Sequence, residues 1–204
     1  MRVQTAGLAI VVLGAFVVLV VGQRSIGTHR AWSTGRLAAL AILLVYVVGV
    51  AHYTLLPLRF DYAIVGRVAP WSVLREYINL APGGYGMPRD QVLANILLGV
   101  PFGFGLPFVW RLPAIGVIAL GLLSSLAIEI LQLLGDVTGL SAPARSADIN
   151  DVILNTLGVT LGVLGFVVFR AAYRALFGGY VVKSGLWSHF HETLVGSGPV
   201  DATT

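Results

Sequence analysis

The chain has 204 residues, of which 57% are hydrophobic and only 11% are Asp, Glu, Lys or Arg, against about 25% charged residues in an ordinary soluble domain. With a mean hydropathy of +0.88, so short a chain cannot hide its apolar surface behind so few charges, which excludes an ordinary soluble enzyme, a disordered chain and a nucleic-acid-binding domain. The net charge of +4 then reports membrane topology instead of a polyanionic partner, and the absence of cysteine excludes disulfides and thiolate chemistry.

Five apolar segments are long enough to cross a bilayer, taking about 17 residues as the lower limit. They run over residues 6–22, 37–56, 91–110, 112–134 and 152–169. They are apolar all round and carry no strand alternation, so the expected fold is all-α, a polytopic transmembrane helical bundle. The first segment follows Arg2 like a signal peptide, but it is long for one and ends without a small-x-small cleavage site, so an uncleaved helix is expected. Pro101 and Pro107 predict a kink or a break in the third segment. Arg111 and Pro113 make the hairpin into the fourth. In the long loop of residues 57–90, Pro82-Gly83-Gly84 reads as a turn and the stretch from Trp71 to Leu80 as a short interfacial helix.

This organisation divides the chain into an N-terminal helix and basic loop (1–36), a core (37–170) and a C-terminal tail (171–204), interfacial or disordered. Five spans put the chain ends on opposite sides. Seven basic residues, Arg24, Arg30, Arg36, Arg111, Arg170, Arg174 and Lys183, gather close to helix ends on one side. Six others, among them Arg2, Arg59 and Arg145, are spread over the N-terminus and two large loops on the opposite side. The denser side is read as cytoplasmic.

The polar residues of the spans converge at one face. Tyr53 ends the second segment, Asn95 begins the third, Glu129 and Gln132 end the fourth, and Asp148, Asp151 and Asn155 begin the fifth. Helices alternate in direction, so these ends share one side. At about 1.5 Å per residue, Asn95, Glu129 and Asn155 lie about 5–10 Å below that surface. Glu129 stands out, because an intramembrane carboxylate must face the bundle interior or a wet cavity. Arg145, Asp148, Asp151 and Asn155 form one stripe if the helix begins near Arg145. Such a cluster could hold a cation, with Mg²⁺ as the candidate, or contact a polar headgroup. Each member also has an ordinary structural reading. Asp148 can N-cap the fifth helix, Asn95 and Asn155 can be interhelical glue, and Tyr53 can be an interfacial aromatic. Gly99 and Gly103, like Gly158 and Gly162, have the spacing of close helix contacts. His52 reads as interfacial, and His189 and His191 lack a partner at metal-ligand spacing.

At these residues the chain resembles the VanZ-like family of bacterial membrane proteins. The likeness lies in Tyr53-Thr-Leu-Leu-Pro57, Asn79-Leu-Ala-Pro82, Asn95 followed by Pro101-Phe-Gly103, Glu129-Ile-Leu-Gln132, and Arg145-Ser-Ala-Asp148-Ile-Asn-Asp151 leading to Asn155, Gly158 and Gly162. These pieces cover about residues 40–170, and Gly99 stands where the family pattern has a phenylalanine. The resemblance implies a cell-envelope protein of the bacterial plasma membrane, with an association with low-level teicoplanin resistance and no established biochemical activity. The candidate site is therefore Glu129, Gln132, Arg145, Asp148, Asp151, Asn155, Asn95, Tyr53 and Asn79. Its expected partners are membrane lipid and a lipid-linked cell-wall precursor or glycopeptide. Two alternatives remain open: a membrane enzyme acting on a lipid-linked phosphate or sugar, and a small proton-coupled transporter.

Overall fold

The computed structural model describes residues 33–55, 78–80, 88–137, 147–182 and 185–196. The expected first span, most of the 57–90 loop and Arg145 lie outside the described residues. Four long helices follow the hydropathy: α1 (Thr34–Leu55), α2 (Arg89–Gly105), α3 (Ala114–Val137) and α4 (Ile149–Phe177). A two-residue strand β1 (Ile78–Asn79) precedes α2, another, β2 (Ala147–Asp148), precedes α4, and a short helix α5 (Leu186–Val195) closes the described chain. Four of these helices are long and apolar enough to cross a membrane. Large apolar side chains stand exposed on all four, among them Ile42, Leu97, Leu123 and Val168. A multi-pass membrane protein leaves such side chains to lipid.

The centre of the bundle is the α2–α4 pair. A Cβ on Gly99 or Gly103 would strike the backbone of α4 at Asn155 and Val159, and one on Gly158 or Gly162 would strike α2 at Ile96 and Val100. The two backbones therefore touch, as the glycine spacing predicted. Lipid gives apolar helices no reason to associate, so this close approach is what holds the pair. Gly121 of α3 then packs on the Val159 side chain, where an added Cβ would come within 2.6 Å.

Several boundaries differ from the sequence reading. Pro101 does not break its helix, because α2 is continuous from Arg89 to Gly105. Pro101 supplies no N–H for the Leu97 carbonyl one turn back, and the neighbouring Leu98 carbonyl accepts from the Tyr46 hydroxyl of α1. Pro107 does end the α-helix, which tightens into a 3-10 turn over Leu106–Phe108. The last span begins at Ile149, not at 152, and continues past 169 to Phe177. At about 43 Å for its 29 residues, α4 outruns a hydrocarbon core of about 30 Å. The tail expected from residue 171 thus starts with two more helical turns, and α5 folds back on them. Ile78 and Asn79 are not helical. They pair in parallel with Ala147 and Asp148.

The two ends of the bundle are built differently. At one end, Phe108 meets Phe166 edge to face at 5.2 Å and Phe190 of α5 at 5.4 Å. Arginines there cap carbonyls that no helical N–H reaches. Arg36 Nε donates to Val109 O at 2.8 Å, and Arg170 and Arg174 both donate to Leu194 O, at 3.2 and 2.8 Å. The opposite end carries the polar residues.

Candidate functional site

The site begins with the turn into α4. Asp148 is extended, with φ −122° and ψ 121°, because β2 holds it beside β1. From there its Oδ1 caps the helix, accepting from the Asn150 backbone N–H and from Asn150 Nδ2, both at 2.8 Å. Its Oδ2 accepts from Asn79 Nδ2 at 3.0 Å. Both carboxylate oxygens are thus used inside the protein, and the capping reading describes what Asp148 does. The Asp148 N–H in turn donates to Glu129 Oε2 at 2.9 Å. One peptide therefore links the intramembrane carboxylate of α3 to the start of α4.

One turn on, Asp151 accepts from Asn95 Nδ2, tying the starts of α2 and α4 together. Gln132 Nε2 reaches across to the Thr54 carbonyl at 2.9 Å, which fixes the end of α1 against α3. Deeper still, Asn155 Nδ2 donates to Ser125 Oγ at 3.0 Å in a buried contact. Its Oδ1 is buried and has no hydrogen-bond partner among the described residues.

These groups surround a cavity of about 770 Å³ at the polar end of the bundle. Tyr53, Asn95, Glu129, Gln132, Asp151 and Asn155 line it. All four long helices contribute. Glu129 and Asn155 are each only 7% exposed, whereas Tyr53 stands at the margin, 66% exposed. Asp90, Glu129 and Asp151 put three acidic side chains on the wall, and no Lys or Arg joins them among the described residues. No group of three His, Asp or Glu side chains is placed to hold a metal ion among those residues.

Against this geometry stands one comparison with known proteins. The family description VanZ/LLP1 matches residues 8–170. The chain belongs to the VanZ/LLP1 family. The match covers most of this VanZ-like chain and reaches further towards the N-terminus than the motifs from Tyr53 to Gly162. No curated protein and no solved structure matched.

The VanZ-like motifs occupy different places around the cavity. Six of the predicted residues, Tyr53, Asn95, Glu129, Gln132, Asp151 and Asn155, line it together. Asp148 and Asn79 do not line it. They form the bridge that positions Glu129 from behind. Arg145 lies outside the described residues. The proposed stripe from Arg145 to Asn155 is shorter than expected, since Asp148 is the cap and only Asp151 and Asn155 share the helical face. Sequence reasoning passed over Gln91, Asp90, Thr54 and Ser125. Gln91 is four residues before Asn95, and Ser125 is four before Glu129. That spacing puts each on the face of a residue already chosen, and it was the signal available.

Proposed function

We propose that this VanZ-like protein serves the bacterial cell envelope by binding a lipid-linked cell-wall precursor or a glycopeptide in the polar cavity, with the cavity on the outer face of the plasma membrane. The observation that carries this reading is the 770 Å³ cavity itself, open at one end of an otherwise lipid-facing bundle and walled by Glu129, Gln132, Asp151 and Asn155. A pocket of this size suits a polar head of small-molecule dimensions. Burying Glu129 in a membrane protein is costly, and a costly intramembrane carboxylate at a cavity wall marks function more often than packing. The low-level teicoplanin resistance associated with the family's namesake is the phenotype this binding would serve.

The test is a susceptibility measurement. Glu129→Gln keeps an oxygen for the Asp148 N–H, so the variant is expected to insert and fold. It is expected to lose resistance to teicoplanin in a host where the parent confers it. Full resistance with Glu129→Gln at parental protein levels overturns the site. Labelling of the 57–90 loop from outside intact cells is expected, and labelling only after lysis overturns the orientation.

A further inference from the structure

The polar cavity does not end at Asn155. An apolar groove of about 270 Å³ continues from it along the bundle, between α1 and α3. Leu98, Ile128 and Asn155 line both spaces, so the two are arms of one site. The groove is walled by Tyr46, Val50, Phe102 and Val159, with scarcely any polar surface. Val47, Ser124 and Ala127 on its walls are exposed, so it opens sideways, where the hydrocarbon of the bilayer stands. At the junction sits Asn155, 7% exposed, with an Oδ1 that no described residue satisfies. A buried acceptor left unpaired costs about 1–3 kcal/mol.

We propose that the occupant is an amphiphile with one hydrocarbon chain, whose chain lies in the Tyr46–Val50–Ile128 groove and whose head, rich in hydrogen-bond donors, fills the polar cavity. This inference rests on the binding reading above and narrows it to ligands whose head carries no phosphate. Three observations choose the chemistry. The groove is smaller than the usual 300–1,000 Å³ of a ligand pocket, which suits a stretch of a single chain. The described wall offers the carboxylates of Asp90, Glu129 and Asp151 and, among the described residues, no cation, so it favours hydroxyl, amide N–H or ammonium donors over a phosphate. The Asn155 Oδ1 asks for a donor where head meets chain, as the N–H of an N-acyl group would supply. Such a ligand enters sideways from the membrane, head and chain each staying at its own depth.

The probe is an N-acyl aminotriol with a diazirine near the end of its chain, compared with an alkyl phosphate of the same chain and tag. The full-length protein is in vesicles of neutral lipid, and cross-linked residues are read by mass spectrometry. The aminotriol is expected to label Val50, Leu98 or Ile128, to be displaced by excess untagged aminotriol, and to exceed the alkyl phosphate at least tenfold. Val50→Trp, which fills the groove, is expected to cut this labelling about tenfold while Tyr46 and α2 stay in place. Asn155→Leu is expected to lower it several-fold, and Asn155→Asp, which keeps an acceptor, to retain most of it. Equal labelling by the two probes overturns the donor-rich head. Labelling confined to lipid-facing positions such as Ile42 and Leu123, or unchanged by Val50→Trp, overturns the groove. The two readings fail separately. Loss of resistance in Glu129→Gln without groove labelling sinks only the amphiphile, and groove labelling with resistance intact in Glu129→Gln sinks only the envelope role.

Discussion

The two ends of the bundle share the same four helices and solve opposite problems. The end near α5 is packed with rings, and polar side chains there are spent on carbonyls: Arg36 on Val109, Arg170 and Arg174 on Leu194, His189 on Phe108. The other end holds the helices apart with amides and carboxylates and leaves about 770 Å³ between them. Rings exclude water and leave no polar group in need of a ligand. Polar side chains that bridge helix ends do the reverse, because each bridge uses one atom and leaves others facing the gap. Asn155 is the clearest case, with Nδ2 satisfied by Ser125 and Oδ1 left over. The closed end reads as scaffold and the open end as site.

Breaking what both ends depend on should have the largest effect. In Gly158→Leu the added side chain meets the Ile96 carbonyl and the Gly99 backbone, so a backbone must move, not a side chain. The cost is expected to exceed the about 1–3 kcal/mol usual for overpacking. The variant should fail to run as a monodisperse species in detergent. Next comes the closed end alone. Phe166 is 7% exposed and meets Phe104 and Phe108 edge to face at 6.2 and 5.2 Å. At about 0.5–1.5 kcal/mol for each aromatic pair, the two pairs alone account for about 1–3 kcal/mol of the loss in thermal unfolding expected for Phe166→Ala, and the cavity left behind adds to it. Ligand binding at the other end should survive at temperatures below the new midpoint. Equal loss of binding and stability in Phe166→Ala would show that the two ends are not separable.

At the open end a single bridge is worth less. Gln132→Ala removes the bond to the Thr54 carbonyl, for about 0.5–1.5 kcal/mol. Its signature should be local. Hydrogen exchange is expected to rise in the last turn of α1 and to stay at parental rates in α2 and α4. Exchange rising evenly over all four helices would mean that the amide bridges, and not the glycine contact, hold the bundle.

The helices and their glycine contact were legible because lipid leaves few ways to write them: long apolar runs, and small residues four apart. That the polar residues gather at one end of the bundle followed from the alternation of helices alone. The cap at Asp148 was one of two readings, and the bridge between β1 and β2 decides how it is used. That bridge was not legible. A two-residue parallel pairing across 69 positions has no period and no turn signature. The helix α5 was missed for a related reason, since its buried content is little more than Leu194 and Phe190 and its place is fixed by arginines of another helix. Tyr46, which donates to the Leu98 carbonyl of α2, stood in an apolar run where nothing set it apart.

The smallest expected effect tests how α5 is held. Arg170 and Arg174 share one acceptor, Leu194 O, one turn apart on α4. Either alone leaves the carbonyl capped, so Arg174→Ala should cost under about 1 kcal/mol. The two changes together leave the end of α5 without its caps, and the cost should exceed the sum of the singles, because only the double variant orphans the acceptor. Protease cleavage between residues 178 and 186 is the readout, expected to be slow in each single variant and fast in the double. Additive costs would mean that the rings of Phe108 and Phe190, at 5.4 Å, carry α5 by themselves. The closed end would then be closed by packing, with its arginines left to set the side of the membrane on which it sits.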